Sequence, residues 1–110
     1  MDANLTEYEG IPVLTVSGRV DHQVSHRLRE QIERAIVTND HRLILDISRV
    51  PTMDSGGIGA VVAAFVAIKK SGGKLVLAGP SKNVRHVLRT TRLDTVIEVF
   101  PNVEHALSGV

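Results

Sequence analysis

Apolar and polar positions alternate at the start of the chain. From Leu5 to Tyr8 and from Ile11 to Ser17 the residues are β-branched or alternate, with the turn signal Glu9-Gly10 between them, so a hairpin is predicted. Pro12 has no amide donor and must lie where the sheet needs no ladder bond. From Val24 to Val37 the period lengthens: Val24, Leu28, Ile32, Ala35 and Ile36 fall on one helical face, and Arg27, Glu30 and Arg34 on the other. Arg42 to Ile47 is a short, nearly continuous apolar run, as expected of a central strand covered on both sides, and Pro51 ends its extension.

The segment from Gly57 to Ile68, GIGAVVAAFVAI, has no charged or hydrogen-bonding side chain. A surface helix needs a wet face, so this one is expected to be covered on more than one side, leaving Val61, Phe65 or Val66 to meet a partner. Lys69 and Lys70 followed by Ser71-Gly72-Gly73 mark its end. Lys74 to Ala78 reads as a strand. After Gly79-Pro80-Ser81, a short helix directs Val84, Val87, Leu88 and Thr91 inward and Lys82, Arg85, Arg89 and Arg92 outward. Val96 to Phe100 is predicted as a last strand and Pro101 to Leu107 as one or two closing helical turns. Helical crossovers between the later strands imply an α/β fold with a mixed, mostly parallel sheet of about five strands, an N-terminal hairpin and about four helices.

Composition narrows the functional classes. The chain has 110 residues, 43% of them apolar, enough for one hydrophobic core and one domain over residues 1–110. Thirteen basic and twelve acidic side chains give a net charge of +1, so no large field directs the chain to nucleic acid or anionic lipid. The start MDANLTEYEG lacks a basic and apolar leader, and no apolar run reaches the ~18 residues that cross a bilayer, so a soluble protein is expected. The absence of cysteine removes disulfides, thiol catalysis and sulfur-ligated zinc, and makes the cytoplasm the default compartment. Of the five histidines, His22, His26, His41, His86 and His105, the first two could face the same way, but no third ligand at recognisable spacing accompanies them, so no metal is expected. No cofactor is expected either: the glycine spacing and the missing lysine exclude a P-loop, and no GxGxxG follows a strand. G-x-S-x-G is absent, which argues against a hydrolase, and no catalytic residue is assigned. The basic stripe Lys82, Arg85, Arg89, Arg92 reads as a solvated face or as a dock for an acidic partner.

The chemistry concentrates in Met53-Asp54-Ser55-Gly56-Gly57-Ile58-Gly59, between the strand RLILDI and the uncharged helix. Ser55 falls where the first helical amides lack partners, so its hydroxyl either caps the helix or stands exposed at the tip of the turn. Gly56 and Gly57 remove bulk beside it, which would let another protein's backbone approach. Taken alone, the segment is equally explained as a helix start in which Asp54 or Ser55 caps and the glycines turn.

The run MDSGGIGAVV resembles the D-S-x-G-[LI]-G signature of STAS-domain anti-sigma-factor antagonists. Gly18-Arg19-Val20-Asp21 resembles the G-x-[ILV]-D after that family's second strand, Leu43 to Ile47 its apolar strand, and Ser71-Gly72-Gly73-Lys74-Leu75 its G-G-x-[LF] segment. The resemblance covers essentially the whole chain. It implies that Ser55 is a phosphoacceptor and that Asp21, Asp54, Gly56, Gly57 and Ile58 belong to the partner-binding surface. It also implies a partner that is both an anti-sigma factor and a serine kinase, a serine phosphatase that resets the cycle, and no enzymatic activity in this chain. The alternative it leaves open is a phosphorylation-independent STAS module of a transport complex or scaffold. Where many relatives carry serine, threonine or alanine, this chain has Gly56, which leaves Ser55 as the only hydroxyl of the motif and predicts a looser helix start.

Overall fold

A computed structural model of the chain describes residues 1–37 and 42–110; His41 lies outside the described residues. The hairpin is β1 (Asp2–Tyr8) and β2 (Ile11–Ser17), paired antiparallel with Tyr8 opposite Ile11 and Asp2 opposite Ser17. Then follow α1 (Ser25–Val37), β3 (Arg42–Arg49), α2 (Ser55–Lys70), β4 (Lys74–Ala78), α3 (Lys82–Thr90), a 3-10 turn at Leu93–Thr95, β5 (Val99–Phe100) and α4 (Val103–Gly109). The strands form one sheet in the order β1-β2-β3-β4-β5, and every pair after the hairpin is parallel. Pro12 stands opposite Glu7 and precedes Val13, where the ladder to β3 begins, so its missing donor breaks no pairing with that strand.

The two-residue period of the strands divides the interior into two layers. Leu14 and Val16 of β2, Leu43, Leu45 and Ile47 of β3, and Leu75 and Leu77 of β4 point to one face, where they meet Leu28, Ile32 and Ala35 of α1, Val61, Ala64 and Ile68 of α2 and Val84 and Leu88 of α3. The alternate residues, Val13, Ile44, Val76 and Ala78, form a smaller core against Ala106, with Phe100, Val103 and Leu107 of β5 and α4 packed around it. β3 and β4 are therefore covered on both sides, as their continuous apolar sequences require.

The last third departs from expectation in three places. The strand expected from Val96 to Phe100 shrinks to Val99–Phe100, because the amides of Val96 and Ile97 are taken by the Leu93 carbonyl in the 3-10 turn at 3.0 and 2.9 Å. Val96 points to solvent at 59% exposure while Ile97 is buried, so strand alternation does not apply to this stretch. The closing helix starts two residues later than expected, at Val103, because the Asn102 side chain accepts from the His105 amide at 2.9 Å and sets the cap there. Arg92 is not on α3 but follows its C-cap Thr91, at φ 59, and Thr91 is exposed rather than inward.

Ala106 has no exposed surface and sits against the face formed by Val76 and Ala78. Ala106→Leu is expected to overpack this thin layer and lower stability by about 1–3 kcal/mol, read from chemical denaturation.

Candidate functional site

Two neighbouring parallel strands, β2 and β3, end at the same edge of the sheet, and the loops that leave them run side by side to the first turns of α1 and α2. A parallel bridge joins Val20 to Met53. Val20 donates to the Thr52 carbonyl at 3.1 Å, and the Asp54 amide donates back to the Val20 carbonyl at 3.1 Å. The motif segments GRVD and MDSGG, separated by more than thirty residues in the sequence, are thereby zipped into one surface.

Asp54 is the N-cap of α2, with extended backbone at φ −97 and ψ −174. One carboxylate oxygen accepts from the Gly57 amide at 3.1 Å, and the other from the His22 amide at 3.2 Å, with the His22 ring nitrogen 3.6 Å away. One side chain thus satisfies a helical amide that would otherwise be orphaned and ties the loop before α1 to the start of α2. The Gly57 amide is the largest influence holding its carboxyl below the usual carboxylate range; partial desolvation opposes this, and the amides of His22 and Gly56 and the His22 side chain reinforce it.

With Asp54 as the cap, Ser55 becomes the first residue of the helix, exposed, and among the described residues nothing hydrogen-bonds its hydroxyl. Of the two roles open to Ser55 in the sequence, capping and presentation, the geometry leaves presentation. Asp21 orders the turn that leads into α1: its carboxylate accepts from the amides of Gln23 at 3.0 Å and Val24 at 3.3 Å. Asp21 is half-buried and Asp54 exposed, both on the surface that carries Ser55.

The glycines differ from expectation. A Cβ on Gly56 would lie 2.5 Å from the His22 Cα, and one on Gly57 would lie 2.6 Å from the Val20 carbonyl oxygen. Both make room for the chain's own β2–α1 loop, not for a partner's backbone. The helix start is accordingly pinned rather than loosened by Gly56. Gly57 and Ile58, expected on the partner surface, are buried at the core side of the helix. The outward face of α2 is instead Ser55, Gly59, Val62 and Val66, which at about 100° per residue fall within a band of roughly 60°. Val62 and Val66 are 37% and 42% exposed, whereas Val61, expected on this face, is buried and Phe65 is half-buried under the Lys69 ammonium, 5.5 Å from the ring centroid. Counting by helical turns from Ser55 finds this stripe in the sequence; judging apolar residues singly does not.

A groove of about 300 Å³ opens between α1 and α2, lined by Ser25, His26 and Arg29 on one side and Gly56, Gly59, Ala60 and Ala63 on the other. A second cleft, about 560 Å³, lies at the far end of α2 between Phe65, Lys69, Gly73 and Val96, away from Ser55. His22 and His26 do not share a face. His22 precedes α1 and turns to Asp54, while His26 pairs with Glu30 one helical turn on, at 2.8 Å. Among the described residues, no helix is long and apolar enough to cross a membrane.

With a mixed five-stranded sheet whose β2 and β3 ends feed two helices, and a serine at the opening of the uncharged second one, the chain matches the STAS domain family model over residues 2–106. The chain belongs to the STAS domain family. It is 32% identical over 94 residues to an anti-sigma-B factor antagonist of Listeria monocytogenes, covering 86% of this chain and 82% of that one. Its fold superposes with a TM-score of 0.89 on a putative anti-sigma factor antagonist of Thermotoga maritima, at 21% identity over 98% of this chain and 93% of that one. It superposes with a TM-score of 0.71 on the Bacillus cell fate determinant SpoIIAA in the phosphorylated form, at 24% identity and 97% of each chain.

Two predictions concern the construction of this site. Because the folded carboxyl of Asp54 titrates below its ordinary value of 3.8, its contribution to stability is complete above that value and is lost as pH falls through the lower, folded one. Asp54→Asn keeps an acceptor at the cap, so at neutral pH it melts closer to wild type than Asp54→Ala does, and the gap between wild type and Asp54→Asn closes below about pH 4 in thermal melts. Gly57→Ala is expected to cost about 1–3 kcal/mol because backbone must shift, whereas Gly59→Ala, where an added Cβ meets nothing within 4 Å, gains roughly 0.5–1 kcal/mol of helix propensity; denaturant midpoints separate the two.

Proposed function

We propose that this protein is a cytoplasmic bacterial anti-sigma-factor antagonist switched by phosphorylation of Ser55. In the unphosphorylated state it binds an anti-sigma factor that is also a serine kinase, and the sigma factor held by that protein is released. The kinase then modifies Ser55 and the complex separates; a serine phosphatase returns the hydroxyl. The observation that carries this reading is the division of labour at the start of α2, where Asp54 takes the capping bonds and the Ser55 hydroxyl is left exposed. The Listeria relative, an anti-sigma-B factor antagonist, and the phosphorylated form of SpoIIAA among similar folds support it.

In the transfer step the Ser55 oxygen attacks the γ-phosphorus of ATP. The new O–P bond forms as the bond to the bridging oxygen of ADP breaks, and the hydroxyl proton passes to a base of the kinase. Nucleotide, metal and base all belong to the partner, so this chain is a substrate and a binding surface rather than an enzyme.

The added group carries roughly −1.5 to −2 charges. At a helix N-terminus the dipole favours an anion by about 0.3–2 kcal/mol, so the domain itself tolerates the phosphate. Against a partner the balance reverses. At an effective dielectric of ~20, two like unit charges ~5 Å apart cost roughly 3 kcal/mol. A doubly charged phosphate facing one partner carboxylate therefore reaches the ~5.5 kcal/mol that separates mostly bound from mostly free. Repulsion at the interface outweighs the gain at the helix.

Incubating the purified chain with a serine-kinase anti-sigma factor from the same genome and ATP is expected to add one phosphate to wild type and none to Ser55→Ala, by intact mass. Ser55→Asp is expected to keep the wild-type circular dichroism spectrum and to bind the kinase about 100-fold more weakly by calorimetry. Equal incorporation into both forms, or unchanged affinity of the aspartate variant, contradicts the reading.

A further inference from the structure

The near-neutral total charge conceals an uneven distribution. Between Ser81 and Thr95 the chain carries Lys82, Arg85, Arg89 and Arg92 against the single carboxylate of Asp94, which leaves +3 on this segment. The remainder of the chain, for a total of +1, then carries −2. Elsewhere two of the cations form ion pairs, Arg29 with Glu33 at 3.1 Å and Lys74 with Glu98 at 3.0 Å. Among the described residues, none of the four cations of the α3 segment forms an ion pair.

Their placement is ordered as well. Lys82, Arg85 and Arg89 follow the spacing of one helical face and span about 10 Å along the axis. Arg92 extends the row from a left-handed backbone position just beyond the C-cap, φ 59 and ψ 20, where helices usually place glycine. The first turn of α3 is fixed to the loop that leads into the Ser55 helix, since the Ser81 hydroxyl donates to the Val50 carbonyl at 3.3 Å while accepting from the Val84 amide at 3.2 Å. The row therefore begins at the edge of the sheet that carries Ser55.

We propose that the outer face of α3, continued by Arg92, docks an acidic surface of the protein that engages Ser55. This rests on the phosphorylation reading above and adds the chemistry of the partner to it. One acidic partner surface accounts for both halves of the cycle: it is attracted to α3 while Ser55 is neutral, and it repels the phosphate once Ser55 is modified. Two other polyanions fit less well. Of the apolar residues of α3, Val84 and Leu88 are buried in the core and Val87 is half-buried against it, so the helix offers no apolar face to insert into a lipid surface. The segment from Lys82 to Thr95 contains no Phe, Tyr or Trp on which a nucleic acid base would stack. Charges at the rim of an interface act chiefly on the rate of encounter, and salt screens them.

The test compares two double reversals with the same change of net charge: Lys82→Glu/Arg89→Glu on α3, and Arg34→Glu/Lys70→Glu away from it, all four residues being exposed. Association with the serine-kinase anti-sigma factor is followed by stopped flow. The α3 variant is expected to associate about 10-fold more slowly than wild type at ~50 mM salt, with the difference vanishing near ~0.5 M and dissociation changed by less than about 2-fold. The control pair is expected to slow association by less than about 3-fold. Equal slowing in both pairs assigns the effect to net charge alone and overturns the proposal, as does no slowing at all. If wild type takes no phosphate from the kinase, it is the earlier reading that fails, and a polyglutamate peptide then tests the surface by itself: amide shifts confined to Lys82–Arg92 and lost in the α3 variant support it, and unshifted spectra overturn it. Tighter binding to phosphatidylglycerol vesicles or to poly(U) RNA than to the peptide also overturns it.

Discussion

The site depends on one carboxylate. Asp54 gives one oxygen to the helix it caps and the other to the loop that arrives from β2, so the start of α2 and the approach to α1 are held by the same side chain. Without that arrangement Ser55 would be the nearest hydroxyl to the unpaired amides of the first turn and would be drawn into capping them. Because Asp54 already serves those amides, the serine is left with no internal duty. Exposure of the hydroxyl is thus a consequence of its neighbour's chemistry as much as of its own position.

The two glycines that follow serve the same arrangement from behind. They bring the His22 and Val20 backbones into space that a side chain would occupy, so the two loops lie flush and the parallel bridge between Val20 and Met53 can form. What resembles a permissive, flexible motif in the sequence is a tightly filled contact in the folded chain. The outward surface of the helix is then left chiefly to Ser55, Gly59, Val62 and Val66, a stripe without charge that runs from Ser55 toward the far end of the sheet. Two-sided burial explains the uncharged helix: one face meets the sheet, another meets α1, and the outward side is narrow.

Strand and helix identities were legible because their periods are clear. β4 runs from Lys74 to Ala78 as expected, α1 begins one residue later than the periodicity indicates, and the hairpin lies where Glu9-Gly10 places it. The part that was not legible is the part decided by competition for backbone groups. The Leu93 carbonyl captures two amides that would otherwise extend β5, and no local propensity signals that outcome. At the site, the identity of the important residues could be read from MDSGGIG, but the direction of each could not. Whether a glycine makes room for the chain itself or for another molecule depends on where a loop thirty residues earlier comes to lie.

The order of the strands in space, β1-β2-β3-β4-β5, is their order in the chain. Each strand finds its neighbour across one turn or one helical connection, so no strand waits for a distant segment before it can pair, and the loop that must close at each step is short for a parallel sheet. The two strands whose ends carry the Ser55 edge, β2 and β3, are themselves joined through α1 alone, so that edge is built from segments close in the chain.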